Sequence, residues 1–132
     1  MVKNGLRILY IDDDLDDHLF FKLAIESAPI PIDLQLALNG KEALDQLILM
    51  QKKPTHIFLD LSMPIMDGLD FLKAKNQQQE IRNIPTYVYS TSNRELDISK
   101  AIELGAKKFF TKPNQIENIR RILNDTIYSE AI

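Results

Sequence analysis

The chain has 132 residues, 45% of them apolar and 27% charged, with 19 acids against 16 bases and no cysteine. That composition suits one globular domain burying about two-thirds of its unfolded-chain surface, and it excludes disulfides, thiolate metal sites and a cysteine nucleophile. The net charge of −3, without a basic block, leaves no footprint for nucleic acid or an anionic membrane, and no apolar run approaches the roughly 18 residues of a spanning helix.

The first predicted strand, Leu6–Ile11, is nearly continuous in apolar residues, as a central strand of a parallel sheet should be. Its apolar run stops at Asp12, too early for a signal peptide, which fits a cytoplasmic, reducing compartment. The aspartates that follow start a helix over 15–28. Asp14 suits the N-cap, and Asp16 and Asp17 complement the helix dipole from the first turn. That helix contains Leu19-Phe20-Phe21 and offers two apolar registers, so its inward face stays open. Next, Ile32–Leu38 alternates, with Ile32, Leu34, Leu36 and Leu38 apolar around Asp33, Gln35 and Ala37, the pattern of an edge strand.

Asn39, three residues before Glu42, marks the start of a second helix over 40–51. His56–Leu61 reads as another central strand and leads into a helix over 67–78, whose polar stretch 76–80 frays into a loop. Thr86–Tyr89 is the fourth strand. Ser92, three before Glu95, forms a capping box for a helix over 93–104, and Gly105 ends it. Ile98, Ala101 and Ile102 share one face of that helix. Lys108–Thr111 is the fifth strand. Asn114, three before Glu117, then starts a helix over 115–129 with Ile116, Ile119, Leu123 and Ile127 inward. Lys52-Lys53 and Lys107-Lys108 read as solvated ends, and His18 and His56 have no ligand spacing between them. The strict alternation of strand and helix predicts a parallel sheet covered on both faces.

Ligands of an open parallel sheet bind beyond the carboxyl ends of its strands. The first strand delivers Asp12 and Asp13 there, the third Asp60, the fourth Ser90 and the fifth Lys112. Clustered carboxylates suit a hard divalent cation, Mg²⁺ foremost, and a carboxylate can act as a nucleophile and form an aspartyl-phosphate. The charge on a transferred phosphoryl group then calls for the cation, an ammonium and a hydroxyl, so the constellation points to phosphoryl transfer.

The stretches ILYIDDD, IFLDLSMPIMDG, PTYVYSTS and GAKKFFTKP, in this order, resemble the receiver domain of response regulators in two-component signalling. The resemblance runs from about Leu6 to Tyr128. It implies a doubly wound α/β fold, a five-stranded parallel sheet in order 2-1-3-4-5 flanked by five helices, and a single domain with no output domain. It further implies that Asp60 is the phosphoacceptor, supplied by a sensor histidine kinase or a histidine phosphotransfer protein. Mg²⁺ (or Mn²⁺) would be held by Asp13 directly, by Asp12 largely through water, by Asp60 and by the main-chain carbonyl of Ser62. Ser90 and Lys112 match the groups that contact the phosphoryl oxygens. Phe109 falls on the aromatic switch position, where its lack of a hydroxyl departs from the tyrosine form. Ser62 and Ser92 occupy the positions that tune phosphate lifetime. Pro64, Gly68 and Pro113 match structural positions, with a cis peptide common before the last. Output would run through the fourth helix, fifth strand and fifth helix to a downstream protein, from a monomer or weak dimer.

Two alternatives belong to other classes. A haloacid-dehalogenase-like phosphatase would use Asp12 as nucleophile, but its pattern wants Thr or Val where Asp16 stands and leaves Asp60 unexplained. Nothing in the sequence favours a phosphate-independent pseudo-receiver scaffold, since all the expected chemical groups are present. A flavodoxin-like flavin protein needs a neutral phosphate loop after the first strand, and this one is anionic.

Overall fold

A computed structural model describes residues 5–112 and 116–128. The strands are β1 (Leu6–Ile11), β2 (Ile32–Ala37), β3 (His56–Leu59), β4 (Thr86–Ser90) and β5 (Lys108–Thr111). Between them lie α1 (Leu15–Glu26), α2 (Gly40–Leu49), α3 (Gly68–Asn76) and α4 (Glu95–Glu103), and α5 (Ile116–Leu123) ends the series with one further π-helical turn, Asn124–Tyr128. All the strands are parallel, in the order β2-β1-β3-β4-β5.

Successive side chains of a strand point to opposite faces, so β1 feeds two cores. Leu9 and Ile11 join a layer closed by α2, α3 and α4 through Ala43, Leu47, Phe71, Leu72 and Ala101. Leu6, Ile8 and Tyr10 join a layer closed by α1 and α5 through Phe21, Ala24, Ile25, Ile119 and Leu123. That second layer is aromatic. Tyr10 stacks on Phe21 at 4.3 Å, and Phe58 stands 5.3 Å from both Phe21 and Tyr87.

Burial on both faces explains why β1 and β3 read as nearly continuous apolar runs and β2, at the edge, alternates. In α1 the inward register is His18, Phe21, Ala24 and Ile25, which leaves Leu15, Leu19, Phe20 and Leu23 exposed. Both apolar registers were present in the sequence, and the aromatic layer takes the one that stacks Phe21 on Tyr10.

Several local expectations need correction. Leu38 is exposed rather than inward, because β2 stops at Ala37 and the chain turns into the Asn39 cap, whose Oδ1 accepts from the Glu42 amide at 2.9 Å. Ile102 is also exposed, and Ala101 is the buried residue of α4. Ser92 makes no capping box. Arg94 precedes the first turn of α4 without a side-chain cap, and the Ser92 hydroxyl donates to Asp97 at 2.7 Å instead. Lys53 is not a solvated end, since its ammonium donates to the carbonyls of Leu47 and Met50 at the C-terminus of α2. The Gly105 stop holds, with φ at +104°. Pro113 and Asn114 lie outside the described residues.

Candidate functional site

The β-strand ends place the predicted residues in one pocket. The Asp12 amide donates to Ala37, the Asp60 amide to Ile11 and the Lys112 amide to Ser90, so backbone hydrogen bonds across the sheet fix all three side chains relative to one another. Asp12 is completely buried, Asp60 and Ser90 nearly so, whereas Asp13 is exposed. One oxygen from each of Asp12, Asp13 and Asp60 lies within 4.8 Å of the others. Around a six-coordinate Mg²⁺ neighbouring ligand oxygens lie about 3 Å apart and opposite ones about 4.2 Å, so the three carboxylates reach one ion by closing up by at most about 2 Å. The donor set fits a divalent cation.

The carboxylates are not equivalent. Asp12 Oδ2 accepts from the Tyr10 hydroxyl at 2.5 Å and lies 2.8 Å from Lys112 Nζ, and its Oδ1 accepts from the Asp14 amide at 3.0 Å. Asp60 Oδ1 accepts from the Leu61 amide at 2.9 Å, while its Oδ2 lies 3.6 Å from Lys112 Nζ, outside hydrogen-bond reach. Burial pushes the Asp60 carboxyl up to about 6, with Asp12 adding to the rise and Lys112, the Ser90 hydroxyl and the Leu61 amide opposing it. Burial works against the Lys112 ammonium, but the hydrogen bonds it donates to Asp12 and Asp17, together with the Asp60 charge, hold it above the usual lysine range.

The loop after β3 is built for close approach. The Gly68 amide donates to Leu61 at 2.9 Å, and a Cβ at Gly68 would stand 2.4 Å from the Asp60 carbonyl oxygen. Only glycine allows that contact. Pro64 accepts from the Met66 amide at 2.7 Å, and between them Ile65 is held at φ +70°, exposed. Ser62 is exposed in this loop, where it lines a groove of ≈ 660 Å³ with Ser90, Thr91, Ser92 and Arg94. Ser92 is half-buried. Phe109 is half-buried too, paired with Val88 across β4 and β5 and packed on the α2–α4 layer.

Three participants escape sequence reasoning. Asp17, expected only to start α1, ion-pairs with Lys112 at 2.8 Å. Tyr10 holds Asp12, and burial first, then Asp12, raises its phenol far above the usual value. His18 is buried with Nε2 2.6 Å from the Asp12 carbonyl. The helical spacing Asp14, Asp17, His18 at the pocket rim was the available signal, but each residue also has an ordinary role at a helix start.

Comparison with known proteins agrees with this geometry. The model of the response regulator receiver domain matches residues 8–124. A protein-glutamate methylesterase/protein-glutamine glutaminase of Methanospirillum hungatei is 38% identical over 120 residues, which are 89% of this chain and 34% of that protein. The chain spans about a third or less of the length of the first curated relatives it matches. Among solved structures, the phosphorylated cyanobacterial phytochrome response regulator RcpA superposes with a TM-score of 0.87 at 23% identity, covering 95% of this chain and 96% of that one. The Mn²⁺-bound response regulator Rcp1 gives 0.85 at 24% identity, covering 96% of each. At such identities these two bear on the fold. With five parallel strands in this order, an acidic pocket at their carboxyl ends and a family match over most of its length, the chain belongs to the response regulator receiver domains.

Proposed function

We propose that the domain accepts a phosphoryl group onto Asp60 from a phosphohistidine of a sensor histidine kinase or histidine phosphotransfer protein, in a Mg²⁺-dependent reaction. The observation that carries this reading is the meeting of Asp60, Ser90 and Lys112 with the Asp12–Asp13 pair at four strand ends. A carboxylate oxygen of Asp60 attacks phosphorus, the O–P bond forms as the N–P bond breaks, and the imidazole nitrogen leaves with the electron pair. Asp12, Asp13, Asp60 and the Ser62 carbonyl would hold Mg²⁺, which when bound would supply charge neutralisation for the transfer. Ser90 donates a hydrogen bond to one phosphoryl oxygen, and Lys112 provides the ammonium for another.

Asp12 is a poor nucleophile by comparison. Its Oδ2 already faces the Tyr10 hydroxyl and the Lys112 ammonium, and its Oδ1 accepts from a backbone amide. This speaks against the phosphatase alternative, and the domain is read as a signalling phosphoprotein rather than an enzyme with a turnover substrate. Ser62 and Ser92, at the groove beside the pocket, tune the phosphate lifetime. Phosphorylation shifts the packing of Phe109 and with it the α4–β5–α5 surface, where Leu96 and Ile102 are exposed to a downstream protein. A cytoplasmic location follows from a kinase as donor. Labelling with a phosphohistidine donor and Mg²⁺ tests the site. The wild type is expected to gain acid-stable, base-labile phosphate and Asp60→Asn none, and undiminished labelling of that variant would overturn the assignment.

A further inference from the structure

We propose that Asp17 is a positioning residue for Lys112: in the unmodified protein its carboxylate holds the ammonium on the α1 side of the pocket, and a phosphoryl group on Asp60 has to win the ammonium away from it. This deepens the phosphoacceptor reading and rests on it. Lys112 Nζ donates to Asp17 Oδ2 at 2.8 Å, across 95 positions of chain, and lies equally close to Asp12 Oδ2. Asp60 Oδ2, at 3.6 Å, receives no hydrogen bond from it. The lysine is thus parked between two carboxylates, neither of which is the phosphoacceptor.

The start of α1 does not need the Asp17 carboxylate. Asp14 caps the helix by accepting from the amides of Asp16 and Asp17, and exposed Asp16 already complements the dipole. Of the two anchors, Asp17 is the one able to let go. Asp12 is fully buried and keeps the Tyr10 hydroxyl and the Asp14 amide, so parting it from Lys112 leaves a buried charge short of a partner. The Asp17 side chain is 26% exposed, and its carboxylate regains water when the lysine leaves. The exchange also frees a negative charge at the first turn of α1, beside the exposed apolar Leu15 and Leu19. Modification at the end of β3 is thereby reported on a helix that does not carry the switch aromatic.

The test uses beryllofluoride, a phosphoryl mimic, titrated calorimetrically at saturating Mg²⁺ into wild type, Asp17→Asn and Asp16→Asn. The last variant removes the same charge one residue away and does not touch Lys112. Without its competitor, Lys112 should favour the mimic, so Asp17→Asn is expected to bind about threefold to tenfold tighter while Asp16→Asn matches wild type. In the unliganded protein, the ¹⁵N signal of the Lys112 ammonium, protected from exchange by its hydrogen bonds, should weaken in Asp17→Asn alone. Unchanged or weaker mimic binding by Asp17→Asn overturns the competition, and so does an equal gain in Asp16→Asn. Failure of the wild type to bind the mimic overturns the phosphoacceptor reading and the competition with it, while the ammonium signal separately decides whether Asp17 anchors Lys112.

Discussion

A buried lysine shows what a single residue contributes here. Lys75, on the inner face of α3, is 3% exposed and donates to the Arg82 carbonyl at 3.0 Å, tying down the loop after the helix. Burial lowers its ammonium from 10.5 to about 8. Between those values the unfolded chain holds the proton and the folded one releases it, so stability rises with pH across that window. A gain on the order of 3 kcal/mol is expected across the whole window, fully present only above the unfolded value. Denaturant melts of wild type and Lys75→Met from about pH 8 to pH 9.5 isolate it, since the variant should lose the slope. Measurements stay below pH 10 because the buried phenols of Tyr10 and Tyr89, both raised primarily by burial, oppose the trend there. An equal slope in both proteins would refute the assignment. Neither Lys75 nor Asp17 announces itself in the sequence, where each looks like an ordinary helix charge. Asp12, Asp60 and Lys112 were legible because strand ends of a parallel sheet gather, whereas the Asp17–Lys112 pair depends on how α1 is rotated, which two competing apolar registers left open.

Among the elements, the loop from β3 to α3 carries the most strain. Ile65 is β-branched, exposed and held at φ +70°, a region that costs an L-residue about 1–2 kcal/mol. Glycine there removes that cost and adds about 0.5–1 kcal/mol of unfolded-chain entropy. Ile65→Gly is therefore expected to stabilise the domain by about 0.5 kcal/mol, read as a rise in denaturant midpoint at constant slope. A drop would mean that the exposed side chain contributes packing not evident from its surroundings. Strand and helix existence was legible from apolar period and capping residues, and α1, α2 and α3 start behind Asp14, Asn39 and Asp67, each accepting from backbone amides. Element ends were less so. Leu38, Ile102 and Ser92 were misplaced because the period of an element does not say where tertiary contacts stop it.

For the molecule as a whole, sheet order decides when the pocket exists. Asp12 and Asp13 leave β1, Asp60 leaves β3, and the hydrogen bond from the Asp60 amide to the Ile11 carbonyl (2.9 Å) joins the two strand ends. Until that bond closes, the carboxylates are far apart and neither repel one another nor attract a cation. The cation site needs only the β1–β3 junction, and the prediction is that this junction closes after the folding transition state. A ligand that binds only there is absent from the transition state and acts on escape from the native state rather than on arrival. Stopped-flow measurements should find unfolding slowed about tenfold at Mg²⁺ concentrations ten times its dissociation constant, with refolding unchanged, and neither effect in Asp60→Asn. Faster refolding with Mg²⁺ would place the β1–β3 junction early instead. On this view the bond between Asp60 and Ile11 gives the acidic pocket a second consequence: a cation bound there would lengthen the lifetime of the folded state that holds it.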